Sequence, residues 1–290
     1  MSAAHAGFAE PLPGISPAIY SVADFRALSD IAYAHAGIIL PEGKAMLVYS
    51  RLAPLVRETG CGSFGNYVAR LRSDAAEEAR AVAALTTNHT FFYREPHHFA
   101  HFAEQVRPAL VASLEAGRGA RLWSAGCSSG EETWSLAMTL LGSEPLAGRR
   151  LAGRDLKMLA TDLAPHVLRQ AETATYPAKD LEPVPQELRR CWTQEADGMA
   201  TVSDLTRALV RFRILNLLGP WPMRHPFDVI FCRNVMIYFD AETKEQLVAR
   251  FADALAPGGY LYIGHSERVT GPAARILRPV GPTIYRKAAA

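Results

Sequence analysis

Between residues 20 and 87 the apolar positions recur every three or four residues, the period of an amphipathic helix. Phe25, Leu28 and Ala32 follow Ser21 and Asp24, a pairing of the capping-box kind that marks a helix start. A second helix is predicted through Met46, Leu47, Leu55 and Val56, and SFGNYVARLRS and AAEEARAVAALTT supply two shorter ones. Together they predict a small all-α domain at 20–87, preceded by a tail at 1–19. Beyond TTNHTFFYRE the period changes. A linker loop and long helix at 88–116 lead into the apolar runs ARLWSAG, LKMLATD, VRFRILNL, FDVIFCRN and YLYIGHS, which read as buried strands. Helices are predicted to start near Glu131, Pro165 and Ala241 between several of them. Strand and helix in alternation predict a doubly wound, mostly parallel α/β sheet over 117–290. Between 177 and 209 the rhythm breaks. There CWTQEA and GMATVS flank Asp197-Gly198, a hairpin signal, so a small antiparallel β insertion is predicted at one edge of the sheet.

Ligands of such sheets bind outside the carboxyl ends of the strands, and the loops there carry the informative residues. WSAGCSSGEETW turns through Gly126 and Gly130 and enters a helix opened by Glu131 and Glu132. Glycines let a ligand approach the backbone closely. A helix N-terminus ordinarily attracts phosphate, but two carboxylates repel it, which favours a cationic or hydroxyl-bearing ligand. The plainer alternative makes Ser129 and Glu132 a capping box, with Glu131 complementing the helix dipole. Asp162 ends LKMLATD, where an acid accepts hydrogen bonds from ribose hydroxyls or else caps the helix entered through Pro165. A loop that rejects phosphate, beside a ribose-type acid, suggests an adenosine ligand with a cationic aminoacyl end, a description that S-adenosylmethionine meets. FDVIFCRNVMIYFD sets Arg233, Asn234 and Tyr238 just past another strand, with Met236 and Phe239 as core. Asn88, Thr90 and Arg94 stand among aromatics in a stretch too apolar for a solvated linker. GCSSG also satisfies the nucleophile-elbow pattern around Ser128, with Asp228 or Asp240 and then His265 in hydrolase order. The two acids that follow Ser128 oppose an oxyanion at that helix start.

Composition narrows the classes. Of 290 residues, 49% are apolar and 21% charged, an ordinary globular balance that excludes collagen-like and highly charged disordered chains. The net charge of +2 gives no reason to expect nucleic acid as a partner. No apolar run is long enough to span a bilayer, and the start lacks a secretory pattern, so membrane insertion is not expected and a cytoplasmic location is. Cys61, Cys127, Cys191 and Cys232 are scattered without a CxxC, which favours neither disulfides nor structural zinc. His97 and His101 share a helix face at i, i+4, but no third ligand accompanies them and no metal is expected.

TTNHTFFYREPHHF, LWSAGCSSGEE, LATDL, LNLL, FDVIFCRNVMIYFD and GGYLYIGHSE, in this order, resemble the CheR-type methyltransferases that methylate glutamates of bacterial chemotaxis receptors. The segment with GIIL, Lys44 and Arg51-Leu52 resembles that family's N-terminal domain, so the likeness spans nearly the whole chain. It implies a Rossmann-like methyltransferase sheet with the antiparallel insertion at 177–209, preceded by the all-α domain. It implies S-adenosylmethionine as methyl donor, with Asn88, Thr90, Arg94, Glu131, Asp162, Asn216, Leu217, Arg233 and Asn234 contacting it. Arg94 and Tyr238 would also border the methyl-transfer site. The implied partner is the cytoplasmic helical domain of chemoreceptors, met by basic residues of the all-α domain, and in some members a receptor C-terminal peptide. Leu55 stands where the family carries a second arginine, and Ser129, Thr133 and Trp134 depart from its glycine loop. Two other classes stay open at this point: the Ser128 hydrolase, and a homologue that binds S-adenosylmethionine or receptors without turnover.

Overall fold

The computed structural model describes residues 14–289, so most of the expected tail lies outside the described residues. Two compact units make up the chain. One comprises the described residues up to Thr87 together with Tyr238–Asp240, and the other holds the remaining described residues.

The helical unit is built on α1 (Val22–Ala36), α2 (Ala45–Glu58), α3 (Phe64–Leu71) and α4 (Ala75–Leu85). The capping box at Ser21 forms in both directions, and Gly37, left-handed at φ +67°, ends α1. Phe25, Leu28, Val48, Leu52, Phe64, Tyr67 and Val82 interlock as its core. Arg51 spends its guanidinium on the end of α4, donating to the carbonyls of Leu85 at 2.6 Å and Thr86 at 2.8 Å, groups that the helix leaves without partners. Within this unit the Ile39 N–H donates to the Tyr238 carbonyl at 2.9 Å, and the Tyr33 hydroxyl to Asp240 at 2.7 Å.

The second unit opens with α5 (Pro96–His101) and α6 (Arg107–Glu115), joined through a π-helical turn at Phe102–Val106. Pro108 explains the turn: without an N–H it leaves the Glu104 carbonyl no ordinary helical donor. Then follow β1 (Ala120–Ala125), α7 (Glu131–Leu141), α8 (Pro145–Ala152), β2 (Leu156–Asp162) and α9 (Pro165–Thr173). The insertion comprises β3 (Thr175–Pro177), α10 (Gln186–Trp192), β4 (Thr193–Ala196), β5 (Met199–Val202) and α11 (Asp204–Ala208). The chain closes with β6 (Val210–Ile214), β7 (Phe227–Cys232), α12 (Ala241–Ala254), β8 (Leu255–Ile263), β9 (Leu277–Gly281) and β10 (Ile284–Lys287).

The seven-stranded sheet runs β6-β2-β1-β7-β8-β10-β9, and the insertion forms a separate three-stranded sheet, β3-β5-β4. The first five strands of the large sheet are parallel; β10 and β9 add an antiparallel edge that the sequence reading did not foresee. Cys191 and Trp192 also depart from expectation by ending α10 instead of starting a strand. The reason is packing: the Trp192 indole donates to the Gly142 carbonyl at 2.7 Å, and a Cβ on Gly148 would lie 2.4 Å from its ring. Helices cover both faces, so the central strands are apolar on both sides. Trp123 packs with Trp221, Phe227 and Phe251 on one face, while Leu122 joins Phe102, Leu136 and Leu140 on the other.

Candidate active site

Register aligns the strand ends. Ala125 lies beside Thr161, Asp162 beside Ile214, and Cys232 beside Ile263, so the loops that follow β6, β2, β1, β7 and β8 emerge along one edge. The chain runs outward from β1 to β2 on one side and to β7 on the other, which makes the end of β1 the crossing point where open α/β sheets bind ligands.

After β1 the backbone turns through Gly126 at φ +80°, Ser128 at φ +50° and Gly130 at φ +98°. A Cβ on Gly126 would lie 2.4 Å from Val235 Cγ2, and one on Gly130 2.8 Å from Ala171 Cβ, so both positions need glycine for space as well as for φ. The Ser128 N–H donates to Asp162 Oδ2 at 2.8 Å and its hydroxyl to the Asn88 carbonyl at 2.9 Å. These bonds stitch together the loop after β1, the loop after β2 and the segment that opens at Asn88. Asp162, 8% exposed, also accepts the Ala164 N–H at 2.9 Å. It therefore ties the loops after β1 and β2 together, while α9 itself has no side-chain cap, and carboxylate lone pairs are left for a further donor. Burial raises its carboxyl, and the N–H groups of Ala164, Ser128 and Leu163 pull the other way.

The two adjacent acids divide. The Ser129 hydroxyl donates to Glu131, at 2.7 and 3.0 Å, and Gly130 is the N-cap, so the Ser129–Glu132 capping box does not form. Glu132, 9% exposed, instead accepts the Ser124 hydroxyl at 2.8 Å and pairs with Arg233 at 3.3 Å. Burial raises its carboxyl and Arg233 opposes the rise. Glu131, half-buried, makes no ion pair among the described residues, and burial likewise raises its carboxyl. A desolvated carboxylate without a cation, beside a glycine turn at the crossing point, matches an ammonium-bearing ligand.

Arg233 is 6% exposed and belongs more to the interior than the sequence suggested. Its guanidinium pairs with Glu95 and Glu132, each at 3.3 Å, donates to the Arg94 carbonyl, and lies over the Phe99 ring; only Nε lacks a partner. Asn234, left-handed at φ +59°, gives its N–H to Glu267 at 3.2 Å. Arg94 donates to the His89 carbonyl at 3.0 Å and stands over Phe91, while Thr90 is half-buried nearby in sequence. Asn216 and the buried Leu217 follow β6. There the Leu218 N–H donates to Asn216 Oδ1 at 3.0 Å, and the Leu217 carbonyl accepts Arg250 at 2.6 Å. The loops after β1, β2, β6 and β7 thus bring Glu131, Asp162, Asn216, Leu217, Arg233 and Asn234 to the same edge, whereas Tyr238 groups with the helical unit.

The hydrolase arrangement is not assembled. The Ser128 hydroxyl is bonded to Asn88, His265 faces Glu95 at 3.1 Å, and Asp228 accepts the Arg121 N–H at the opposite end of β7. His101 bonds to the Tyr262 hydroxyl at 2.8 Å. Glu95, His97 and His98 could offer metal-ligand atoms within 4.8 Å of one another, but Arg233 stands 3.3 Å from Glu95 Oε2 and repels a cation there. Burial takes His98 down to about 3, so it is neutral at physiological pH. Sequence reasoning missed Glu95 and Glu267. Each sat inside a motif already singled out, but its sequence neighbours are polar (Arg94 and His97 for Glu95, Ser266 and Arg268 for Glu267), so nothing local marked it as a buried acid.

The chain matches two family descriptions in succession: the CheR methyltransferase all-alpha domain over residues 23–86 and the CheR methyltransferase SAM binding domain over residues 88–282. A probable chemotaxis protein methyltransferase of Rhizobium etli is 42% identical over 260 residues, covering 88% of this chain and 96% of the relative. Chemotaxis protein methyltransferase 2 of Pseudomonas aeruginosa is 39% identical over 276 residues, covering 93% and 94%. The chemotaxis protein methyltransferase of Escherichia coli is 39% identical over 276 residues, covering 91% of each chain. With both halves matched in order and the relatives aligned nearly end to end, this chain belongs to the CheR family of S-adenosylmethionine-dependent chemotaxis methyltransferases.

Proposed function

We propose that the protein transfers the methyl group of S-adenosylmethionine to glutamate side chains of cytoplasmic chemoreceptor domains, giving methyl esters and S-adenosylhomocysteine. The observation that carries the reading is Glu131: a half-buried carboxylate without a cationic partner among the described residues, at the sheet's crossing point. When bound, S-adenosylmethionine supplies a methyl group made electrophilic by a sulfonium. Glu131 would hold its amino group and Asp162 its ribose hydroxyls, with Asn88, Thr90, Asn216, Leu217 and Asn234 completing the pocket. Arg233 supports that pocket from behind by fixing Glu132 and Glu95. The family likeness also supports a cytoplasmic location and a receptor helix meeting the all-α unit.

A glutamate of pKa about 4.3 is ionised at neutral pH, so the acceptor needs no general base. The protein's task is placement. Holding reacting atoms about 3–3.5 Å apart supplies several kcal/mol, and water-poor surroundings favour a step in which opposite charges cancel. The family likeness supports Arg94 and Tyr238 as the residues that border methyl transfer. The test is calorimetric titration with S-adenosylhomocysteine, followed by transfer of labelled methyl to receptor-containing membranes. Arg94→Ala and Tyr238→Phe should lower turnover more than they alter folding. Wild-type receptor methylation by both would remove these residues from the site, and a wild-type protein that binds no S-adenosylhomocysteine would end the reading.

A further inference from the structure

Past β7 the backbone turns abruptly: Asn234 is left-handed, and Met236–Tyr238 form a single 3-10 turn. Amides in such a turn have no sheet or helix partner and, once buried, need an acceptor. One carboxylate serves them. Glu267, 5% exposed, accepts the Met236 N–H at 2.8 Å on Oε1, and the Asn234 and Gly264 N–H groups at 3.2 and 2.6 Å on Oε2. The Ile237 N–H, next along the turn, draws the carboxyl down as well. Gly264 makes the arrangement possible, because a Cβ there would lie 2.5 Å from Asn234 Nδ2 and 2.7 Å from its backbone nitrogen. Among the described residues Glu267 makes no ion pair, so converging N–H dipoles alone balance its charge. Burial raises its carboxyl and those N–H groups oppose the rise.

We propose that Glu267 is a positioning residue for methyl transfer: its carboxylate clamps the backbone from Asn234 to Ile237 and so sets where Asn234 is presented. The inference rests on the reading of the site given above. A carboxylate is required chemically, because it offers acceptor oxygens only. Glutamine keeps the shape but replaces one oxygen with a donor that faces N–H groups. Aspartate keeps the charge but draws it back by about one bond length, roughly 1.5 Å.

Full-length wild type, Glu267→Gln, Glu267→Asp and Asp228→Asn are to be compared. Asp228 also accepts a backbone N–H, that of Arg121 at 2.8 Å, and stands at the far end of β7, so it controls for loss of an acid that merely stabilises. Hydrogen exchange in the free protein should quicken at the amides of Asn234, Met236, Ile237 and Gly264 in Glu267→Gln, by about tenfold or more. S-adenosylhomocysteine should bind that variant about tenfold more weakly at unchanged stoichiometry. Glu267→Asp should fall between it and wild type, and Asp228→Asn should leave affinity and those four amides unchanged. A wild-type Kd with reduced stoichiometry in Glu267→Gln would make the residue merely structural and overturn the proposal. Should Glu267→Gln not fold, wild-type exchange and affinity in Glu267→Asp would overturn it equally. Failure of the wild type itself to bind would sink the reading of the site, while the exchange measurement would still judge the clamp.

Discussion

Arg233→Met removes the one cation that lies between two acids. In wild type the guanidinium reaches Glu132 and Glu95 at 3.3 Å each and also serves the Arg94 carbonyl. Methionine fills similar volume, so little cavity forms and the effect is chiefly electrostatic. Among the described residues Glu132 then keeps only the Ser124 hydroxyl as a hydrogen-bond donor, in a site where it is 9% exposed. Stranding a buried charge in this way costs about 3–5 kcal/mol. For a unit of this size each kcal/mol is worth about 2–4 °C, so the midpoint should fall by roughly 6–20 °C. Urea and thermal unfolding followed by circular dichroism measure both. Adding Glu132→Gln should recover much of the loss, since removing both members of a buried pair costs less than removing one. The pH dependence has a definite sign. Burial already holds Glu132 above its unfolded value, and Arg233 opposes that. Without Arg233 the folded carboxyl rises further, so the folded variant binds more protons than its unfolded chain and its stability falls as pH rises through that value. The deficit against wild type should therefore shrink on acidification. A variant within about 1 kcal/mol of wild type at neutral pH, or a deficit that stays flat with pH, would refute the buried-pair argument.

Glu131→Gln should weaken S-adenosylhomocysteine binding about tenfold without lowering the melting point, because the carboxylate it removes is desolvated and has no ion pair among the described residues; equal affinity by calorimetry would exclude Glu131 from the site. In wild type the same affinity should fall with decreasing pH through the raised Glu131 value, above the ordinary carboxylate range, since protonation removes the charge that holds the amine. Gly130→Ala should cost about 2–4 kcal/mol in urea unfolding, from left-handed strain and overpacking against Ala171 and Tyr176; a neutral result would mean the turn relaxes freely. Ser128→Ala should lose only its bond to Asn88, about 1 kcal/mol, and keep methyl transfer, whereas abolished transfer would give the hydroxyl a chemical role.

Much of the fold was legible in advance. The strands appeared as apolar runs because a parallel sheet covered on both faces has no polar side to alternate with. Helix starts at Glu131, Pro165 and Ala241 were readable from local chemistry, as was the hairpin at Asp197-Gly198. The antiparallel edge of β9 and β10 was not, because both strands are short and gain their identity from pairing, β10 on β8 and the proline-containing β9 on β10. Trp192 shows the same limit: an indole seated on Gly142 and Gly148 holds the end of a helix where β-propensity pointed to a strand.

By itself the sequence determined most element types, the place of the loops at the strand ends and the residues worth watching there, because periodicity, glycine turns and caps act over a few neighbouring residues. Only the tertiary structure decided which acid does what. Glu131 and Glu132 are adjacent and chemically identical, yet one lies half-buried without an ion pair among the described residues and the other is paired to an arginine 101 positions away. Glu267 became a clamp only when β7 and β8 came side by side. Desolvation and pairing depend on what folds against a side chain from afar, and local patterns carry no record of that.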